Sequence, residues 1–193
     1  MTEPGQLWLI RHGDTEWTAT GQHTSHTDVA LSAEGREQAT LLGGLLGGRP
    51  FTTVLSSPMT RSIDTCRLAG YGDMAAVDDG LKEWDYGDYE GRTTADIREE
   101  HPGWTVWAGS PNGESLDHVG ARARGVIERA TAAGGDAALF SHGHFLRILG
   151  ATWLGLPPEG GRFLSLGTAA LSILGYERET RVIRQWNRVS ELG

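Results

Sequence analysis

Two short apolar runs, far apart in the chain, end in the same way. Leu7-Trp8-Leu9-Ile10 stops at Arg11-His12-Gly13, and Ala137-Ala138-Leu139-Phe140 stops at Ser141-His142-Gly143. A short continuous apolar run reads as a strand buried on both faces, which is the mark of a parallel sheet covered by helices. Open sheets of that kind bind ligands beyond the carboxyl ends of their strands, near a switch point. Both histidines would therefore stand at one edge of one sheet. The glycine after each allows close approach of the backbone.

The rest of the chain alternates between strand-like and helix-like segments. Ser32 is a candidate N-cap with Glu34 close behind, and Ala39, Leu42, Leu45 and Leu46 recur at helical spacing before Gly47-Gly48. Phe51 to Ser56 reads as a second strand. Ser57-Pro58 reads as a helix start, Ser as N-cap and Pro at the first helical position, which places Arg61 in the first turn. A third strand is expected near Met74 to Val77. A short helix is expected over Thr94 to Glu100, stopped by Pro102, and a longer one from about Ser115 to Ala133. Another helix follows His142. Ala169 to Tyr176 and Arg181 to Trp186 read as two strands around a turn. Asp14 to Ala30 is polar and reads as a loop over the end of the first strand. The pattern predicts one domain over residues 1–193, of the α/β class. It would be a three-layer α/β/α sandwich with a mainly parallel sheet and one antiparallel strand.

Composition narrows the partners. With 17 basic against 25 acidic residues the formal charge is −8, which argues against nucleic acid and anionic membranes. A small anionic substrate stays compatible, because a pocket can be locally positive. Lys82 is the sole lysine among the basic residues, and Arg suits bidentate phosphate recognition. Met1 to Gly5 lacks the basic and apolar regions of a signal peptide, and no run reaches transmembrane length, so a cytoplasmic enzyme is expected. The lone Cys66 rules out a disulfide within the chain and reads as a buried thiol. The last strands offer an edge across which a homodimer could form.

The chemistry follows from convergence. His12, His142, Arg11 and Arg61 would surround one anion, helped by N–H groups at helix N-termini. A neutral imidazole can attack phosphorus and become a phosphohistidine, while the arginines and the second histidine neutralise the transferring group. The leaving alkoxide needs a proton. Glu83 is the candidate donor, with Trp84 and Tyr86 placed to desolvate it in part; Asp85, Asp88 and Glu90 are nearby acids. No metal or other cofactor is required, and no G-x-x-x-x-G-K-[ST] loop occurs. His23, His26, His142 and His144 lack companion ligands at metal-site spacing. His23 and His144 either line the pocket mouth or have no role. Trp104 and Trp107 either form a lid or pack on the surface.

Leu9-Ile10-Arg11-His12-Gly13-Asp14-Thr15-Glu16-Trp17 resembles the signature of the histidine phosphatase superfamily, also called phosphoglycerate mutase-like. The blocks Thr27 to Ser32, Ser56-Ser57-Pro58 with Arg61, Glu83 with Glu90-Gly91, Gly113-Glu114-Ser115, and Ser141-His142-Gly143 follow in the family order. The resemblance implies that His12 is phosphorylated, that Arg11, Arg61 and His142 hold the phosphate, and that Glu83 donates the proton. It places Thr18 where mutases carry Asn, and Thr24 and Ser25 in the substrate loop. Together with Gly143, His144 and His23 these make up the expected substrate-binding set. Gly21-Gln22-His23-Thr24, the Glu83 to Gly91 segment and His142-Gly143-His144 are closest to a phosphatase branch that includes actinobacterial acid phosphatases and sedoheptulose-1,7-bisphosphatase. The implied substrate is a small phosphomonoester, among them sugar phosphates and bisphosphates. A mutase-type phosphotransferase and a non-catalytic phospho-ligand-binding module are the alternatives.

Overall fold

The computed structural model describes residues 4–190; Met1 to Glu3 of the N-terminal stretch lie outside them. Strands β1 (Leu7–Arg11), β2 (Thr53–Ser56), β3 (Ala76–Val77), β4 (Ala137–Ser141), β5 (Leu171–Glu177) and β6 (Thr180–Arg188) form one sheet in the order β3-β2-β4-β1-β5-β6. The pairs β1/β4, β2/β4 and β2/β3 are parallel, whereas β5 runs antiparallel to both β1 and β6. The expected sheet, mainly parallel with one antiparallel strand, is the sheet observed.

Alternation along β1 builds the three layers, because successive side chains point to opposite faces. Leu7 and Leu9 join Ala137 and Leu139 under helices α5 (Leu116–Ala132) and α6 (Gly143–Trp153), through Val119, Ala123, Val126, Phe145 and Leu149. Trp8 and Ile10 join Ala138 and Phe140 on the other face, under α2 (Ala33–Leu46) and α3 (Thr60–Leu68), through Leu42, Leu46 and Cys66. Burial pushes the Cys66 thiol up to about 12, so it is an inert part of this layer. β1 lies between β4 and β5, and β4 between β1 and β2. Both His-bearing strand ends are thus adjacent, with Arg11 opposite Ser141 in register.

Three local expectations change. The stretch Glu16–Thr20 is a helix, α1, not loop. Thr15 and Thr18 cap each other's backbone and Gly21 closes the turn in the left-handed conformation. One turn with no buried residue leaves no periodicity to read. Ser57 does not cap α3; Met59 is at the N-cap position without a side-chain bond. Asp28 supplies the cap from across the chain, accepting from the Thr60 N–H at 2.8 Å and its hydroxyl at 2.6 Å. The third strand shrinks to two exposed residues, Ala76–Val77, because Gly72–Met74 forms a 3-10 turn. Helix α4 (Thr94–Glu100) and the β5/β6 hairpin match expectation to within a few residues.

The segment after β1 is held by two glycines. A Cβ on Gly13 would lie 2.2 Å from the Gly35 carbonyl oxygen, and a Cβ on Gly35 would lie 2.0 Å from that of Asp14. Alanine within a helix normally gains about 1 kcal/mol over glycine. Here the clash is backbone on backbone, and overpacking of that sort costs about 1–3 kcal/mol or more. Gly35→Ala should therefore lower the melting temperature by roughly 5 °C. A melt that stays in place or rises would show that α2 slides freely against this loop.

Candidate active site

Beyond the carboxyl ends of β1 and β4 lies a cavity of about 170 Å³. Arg11, His12, Glu83, Gly143 and His144 line it, with Thr18, His23 and Thr24 from the segment after β1. Gln22, Tyr86, Arg147 and Leu166 complete most of its wall. Arg61, His142 and Ser25 are buried behind this lining.

His12 is 4% exposed, and its Nδ1 lies 2.7 Å from the Gly13 carbonyl oxygen. A carbonyl only accepts, so Nδ1 carries the proton and Nε2 is the bare nitrogen. Burial, then the charges of Arg61 and Arg11, hold the ring well below the usual imidazole range, against a smaller opposite effect of the Gly13 bond. The ring is therefore neutral at pH 7. Its centroid is 5.1 Å from that of His142.

Arg61 is fully buried. Its Nε–H donates to His142 Nδ1 at 3.3 Å, and its terminal nitrogens donate to the carbonyls of Thr27 at 3.0 Å and Ser25 at 2.9 Å. With Nδ1 accepting, neutral His142 carries its proton on Nε2, which is 2.7 Å from Ser57 Oγ and donates to it. Burial, followed by the charge of Arg61, keeps His142 well below its ordinary value. The Ser57 hydroxyl, read from sequence as a helix cap, thus orients the second histidine.

Arg11 donates to the Leu166 carbonyl through Nη1, while its Nε is buried with no hydrogen-bond partner. An orphaned guanidinium N–H beside the His12 ring is suited to an anion's oxygen. Burial opposes the charge on Arg11; Glu83, then Tyr86 and Asp14, support it. Gly143 makes room for it: a Cβ there would lie 3.2 Å from Arg11 Cζ.

Glu83 is 8% exposed and sits on the N-terminus of α6. Its Oε1 accepts from the Phe145 N–H at 2.7 Å and the Trp84 N–H at 2.9 Å, and its Oε2 from the His144 N–H at 3.0 Å. Arg122 fixes the same segment, donating to the carbonyls of Gly80, Lys82 and Glu83 while pairing with Glu114. The helix N-termini expected to cradle phosphate are therefore occupied by carboxylates, Glu83 on α6 and Asp28 on α3.

Glu90 clamps the loop that carries Ser25 and Thr27. Its carboxylate accepts from the Ser25 and Thr27 N–H groups, each at 3.0 Å, and from the Ser25 hydroxyl. Burial disfavours its charge, but the bonds from Ser25 and Thr27 together hold the carboxyl below its usual range. Thr18 turns its hydroxyl to Asp14 at 2.7 Å. His23 packs on Tyr86 and Trp104, and His144 shares a 2.7 Å hydrogen bond with the Tyr86 hydroxyl. Burial lowers both histidines and raises the Tyr86 phenol well above its ordinary value. Trp104 and Trp107 back this wall, Trp107 against Trp84 and His144, so they support the cavity from behind. Sequence reasoning gave no site role to Ser57, read as a helix cap, or to Gln22, named only within a family block, and did not single out Arg122, Arg147 or Leu166. Only Arg147, on the face of α6 one turn beyond Gly143, carried a periodic signal.

Residues 7–189 match the model of the histidine phosphatase superfamily, branch 1. The chain belongs to that superfamily. It is 43% identical to an acid phosphatase of Mycobacterium tuberculosis, over 91% of this chain and 89% of that protein. It is 34% identical to sedoheptulose 1,7-bisphosphatase of Saccharomyces cerevisiae, over 77% of this chain and 67% of that protein. A solved structure of an open reading frame from M. tuberculosis superposes with a TM-score of 0.90 at 40% identity, covering 96% of this chain and 98% of the other. The chain is a phosphatase of the histidine phosphatase type. Among the described residues no helix is long and apolar enough to cross a membrane.

The contact between Gly143 and Arg11 gives a direct check. Gly143→Ala crowds only the end of a flexible side chain, so the fold should survive while the guanidinium moves by a few tenths of an ångström. Small misplacements of positioning groups cost up to about a hundredfold in rate. Hydrolysis of p-nitrophenyl phosphate should fall about tenfold in kcat/KM with an unchanged melting temperature. Full activity would mean that Arg11 does not meet the substrate.

Proposed function

We propose that this phosphatase hydrolyses small phosphomonoesters through a phosphohistidine on His12, in the cytoplasm. The observation that carries the reading is the Nδ1–H bond of His12 to the Gly13 carbonyl. It leaves Nε2 with a free lone pair in a cavity shared with Arg11 and Glu83.

In the first step the Nε2 lone pair forms a bond to phosphorus and the phosphorus–oxygen bond to the alcohol breaks. The leaving alkoxide takes a proton from Glu83. The imidazole becomes cationic, and its Nδ1–H keeps its bond to the Gly13 carbonyl. Arg11 meets the equatorial oxygens directly. Arg61 and His142 support the pocket from behind, through the loop carbonyls and Ser57. In the second step the Glu83 carboxylate takes a proton from water. The water oxygen bonds to phosphorus, the phosphorus–nitrogen bond breaks, and its electron pair returns to Nε2. Inorganic phosphate leaves.

Acid phosphatase and bisphosphatase relatives support a small phosphorylated substrate. A cavity of about 170 Å³ lies below the roughly 300–1,000 Å³ of sites for drug-sized ligands, which favours a compact one.

Quenching a reaction with ³²P-labelled substrate should trap label on the protein that is stable to base and released by acid. His12→Ala should trap none and should lose at least about a thousandfold in kcat, as removal of a nucleophile does elsewhere. A His12→Ala variant with wild-type turnover would defeat the proposal.

A further inference from the structure

Glu83 stands on irregular chain between two 3-10 turns, Asp79–Leu81 and Gly87–Tyr89. No strand or helix fixes its backbone, so side chains must meet the carbonyls there. Ser141 donates to the Leu81 carbonyl at 2.6 Å. Arg122, on α5, commits all five of its N–H donors. Nη1 donates to the carbonyls of Gly80 at 2.9 Å and Lys82 at 2.6 Å. Nη2 donates to the Glu83 carbonyl at 3.1 Å and to Glu114 Oε2 at 2.7 Å, and Nε to Glu114 Oε1 at 3.0 Å. A lysine, with three donors on a point charge, cannot span these acceptors.

The pair closes on the carboxylate from its other side as well. The Arg122 guanidinium lies 4.5 Å over the Phe145 ring, and the Phe145 N–H is the donor that holds Glu83 Oε1 at 2.7 Å. Glu114 ties in the next residues: its carbonyl accepts from the Trp84 indole at 2.7 Å, and its N–H donates to the Asp85 carbonyl at 3.0 Å. Arg122 and Glu114 thus hold both the backbone that carries Glu83 and the helix end on which its carboxylate rests. Neither lines the cavity, and no hydrogen bond of Arg122 goes to His12, His142, Arg11 or Arg61. The two charges offset each other, so what the pair passes on is position.

We propose that Arg122, braced by Glu114, is a positioning residue for proton transfer: it sets where the Glu83 carboxyl meets the leaving oxygen and has no part in the attack by His12. This rests on the reading of Glu83 as the proton donor. The consequence is a split by leaving group. An alkoxide takes the Glu83 proton as its bond to phosphorus breaks. Nitrophenolate is a stable anion and departs without it, while Glu83 keeps its proton. A carboxyl misplaced by about 1 Å costs about a hundredfold where its proton is needed. kcat/KM reports the steps up to transfer onto His12, so the later action of Glu83 on water does not enter it.

Benzyl phosphate and p-nitrophenyl phosphate, similar in size and opposite in leaving group, test it. Arg122→Lys should lower kcat/KM for benzyl phosphate by about tenfold to a hundredfold and for p-nitrophenyl phosphate by less than about threefold. Glu114→Gln keeps the shape of the pair, removes its charge and should give the same split to a smaller extent, which covers the case of an Arg122 variant that fails to fold. Glu83→Gln should show the full split, about a hundredfold or more. Adding Arg122→Lys to Glu83→Gln should not widen it, because the two residues act through one proton. Were the pair only a brace for the fold, its variants would melt earlier and lose activity towards both substrates alike, which would overturn the proposal. A full split in Glu83→Gln with none in Arg122→Lys or Glu114→Gln would overturn the role of Arg122 and keep the reading of Glu83. Equal losses in Glu83→Gln would defeat the proton-donor reading, and the role of Arg122 with it.

Discussion

The buried guanidinium of Arg61 is the tie on which the site's geometry rests. It joins three things that are remote in sequence: helix α3, the loop carbonyls of Ser25 and Thr27, and the second histidine. A fully buried charge is costly unless its donors are matched, and here the matches are backbone carbonyls held in place by Glu90 and Asp28. Glu90 grips the loop by accepting from the Ser25 and Thr27 N–H groups, and Asp28, itself in the loop, ties it to α3 by accepting from the Thr60 N–H and hydroxyl. Loop, helix and histidine are therefore one unit.

The same charge sets the chemistry. Arg61 follows burial as a cause of the lowered values of both His12 and His142. Two imidazoles side by side, His12 in the cavity wall and His142 buried behind it, stay neutral beside Arg11 and Arg61, which is what a nucleophile for phosphorus requires. Hydrogen bonds then choose the tautomers. The Gly13 carbonyl fixes the proton of His12 on Nδ1, and the Arg61 Nε–H fixes that of His142 on Nε2. Positive charge is concentrated where the proposed mechanism brings the phosphoryl oxygens, and Glu83, held at the N-terminus of α6, is the carboxylate of the cavity lining.

Much of this was legible in the sequence, for reasons that differ by residue. The apolar runs ending at His12 and His142 announced central strands because burial on both faces leaves no alternation. Arg61 was placed in the first turn of a helix although the cap was assigned to the wrong residue. The motif Ser57-Pro58 satisfies the local rule for a helix start, but Asp28 met the orphan N–H of Thr60 from a distant loop, freeing Ser57 for His142. Ser25 and Thr24 were read alike; only the fold separates Thr24, on the cavity, from Ser25, on Glu90. Partnerships between remote segments, such as Glu90 with Ser25 or Arg122 with the Glu83 carbonyl, leave no periodic trace in a single sequence.

The central claim is that burial, and then the charges of Arg61 and Arg11, hold His12 neutral with its lone pair on Nε2. Nitrogen-15 NMR of imidazole-labelled protein, titrated from pH 8 down to the acid limit of the fold, addresses it directly. Because the folded value lies well below the ordinary 6.5, the His12 signals should show a protonated Nδ1 and a bare Nε2 and should not move as pH passes through 6.5. A His12 ring that titrates near 6.5, or one whose bare nitrogen is Nδ1, would contradict the account.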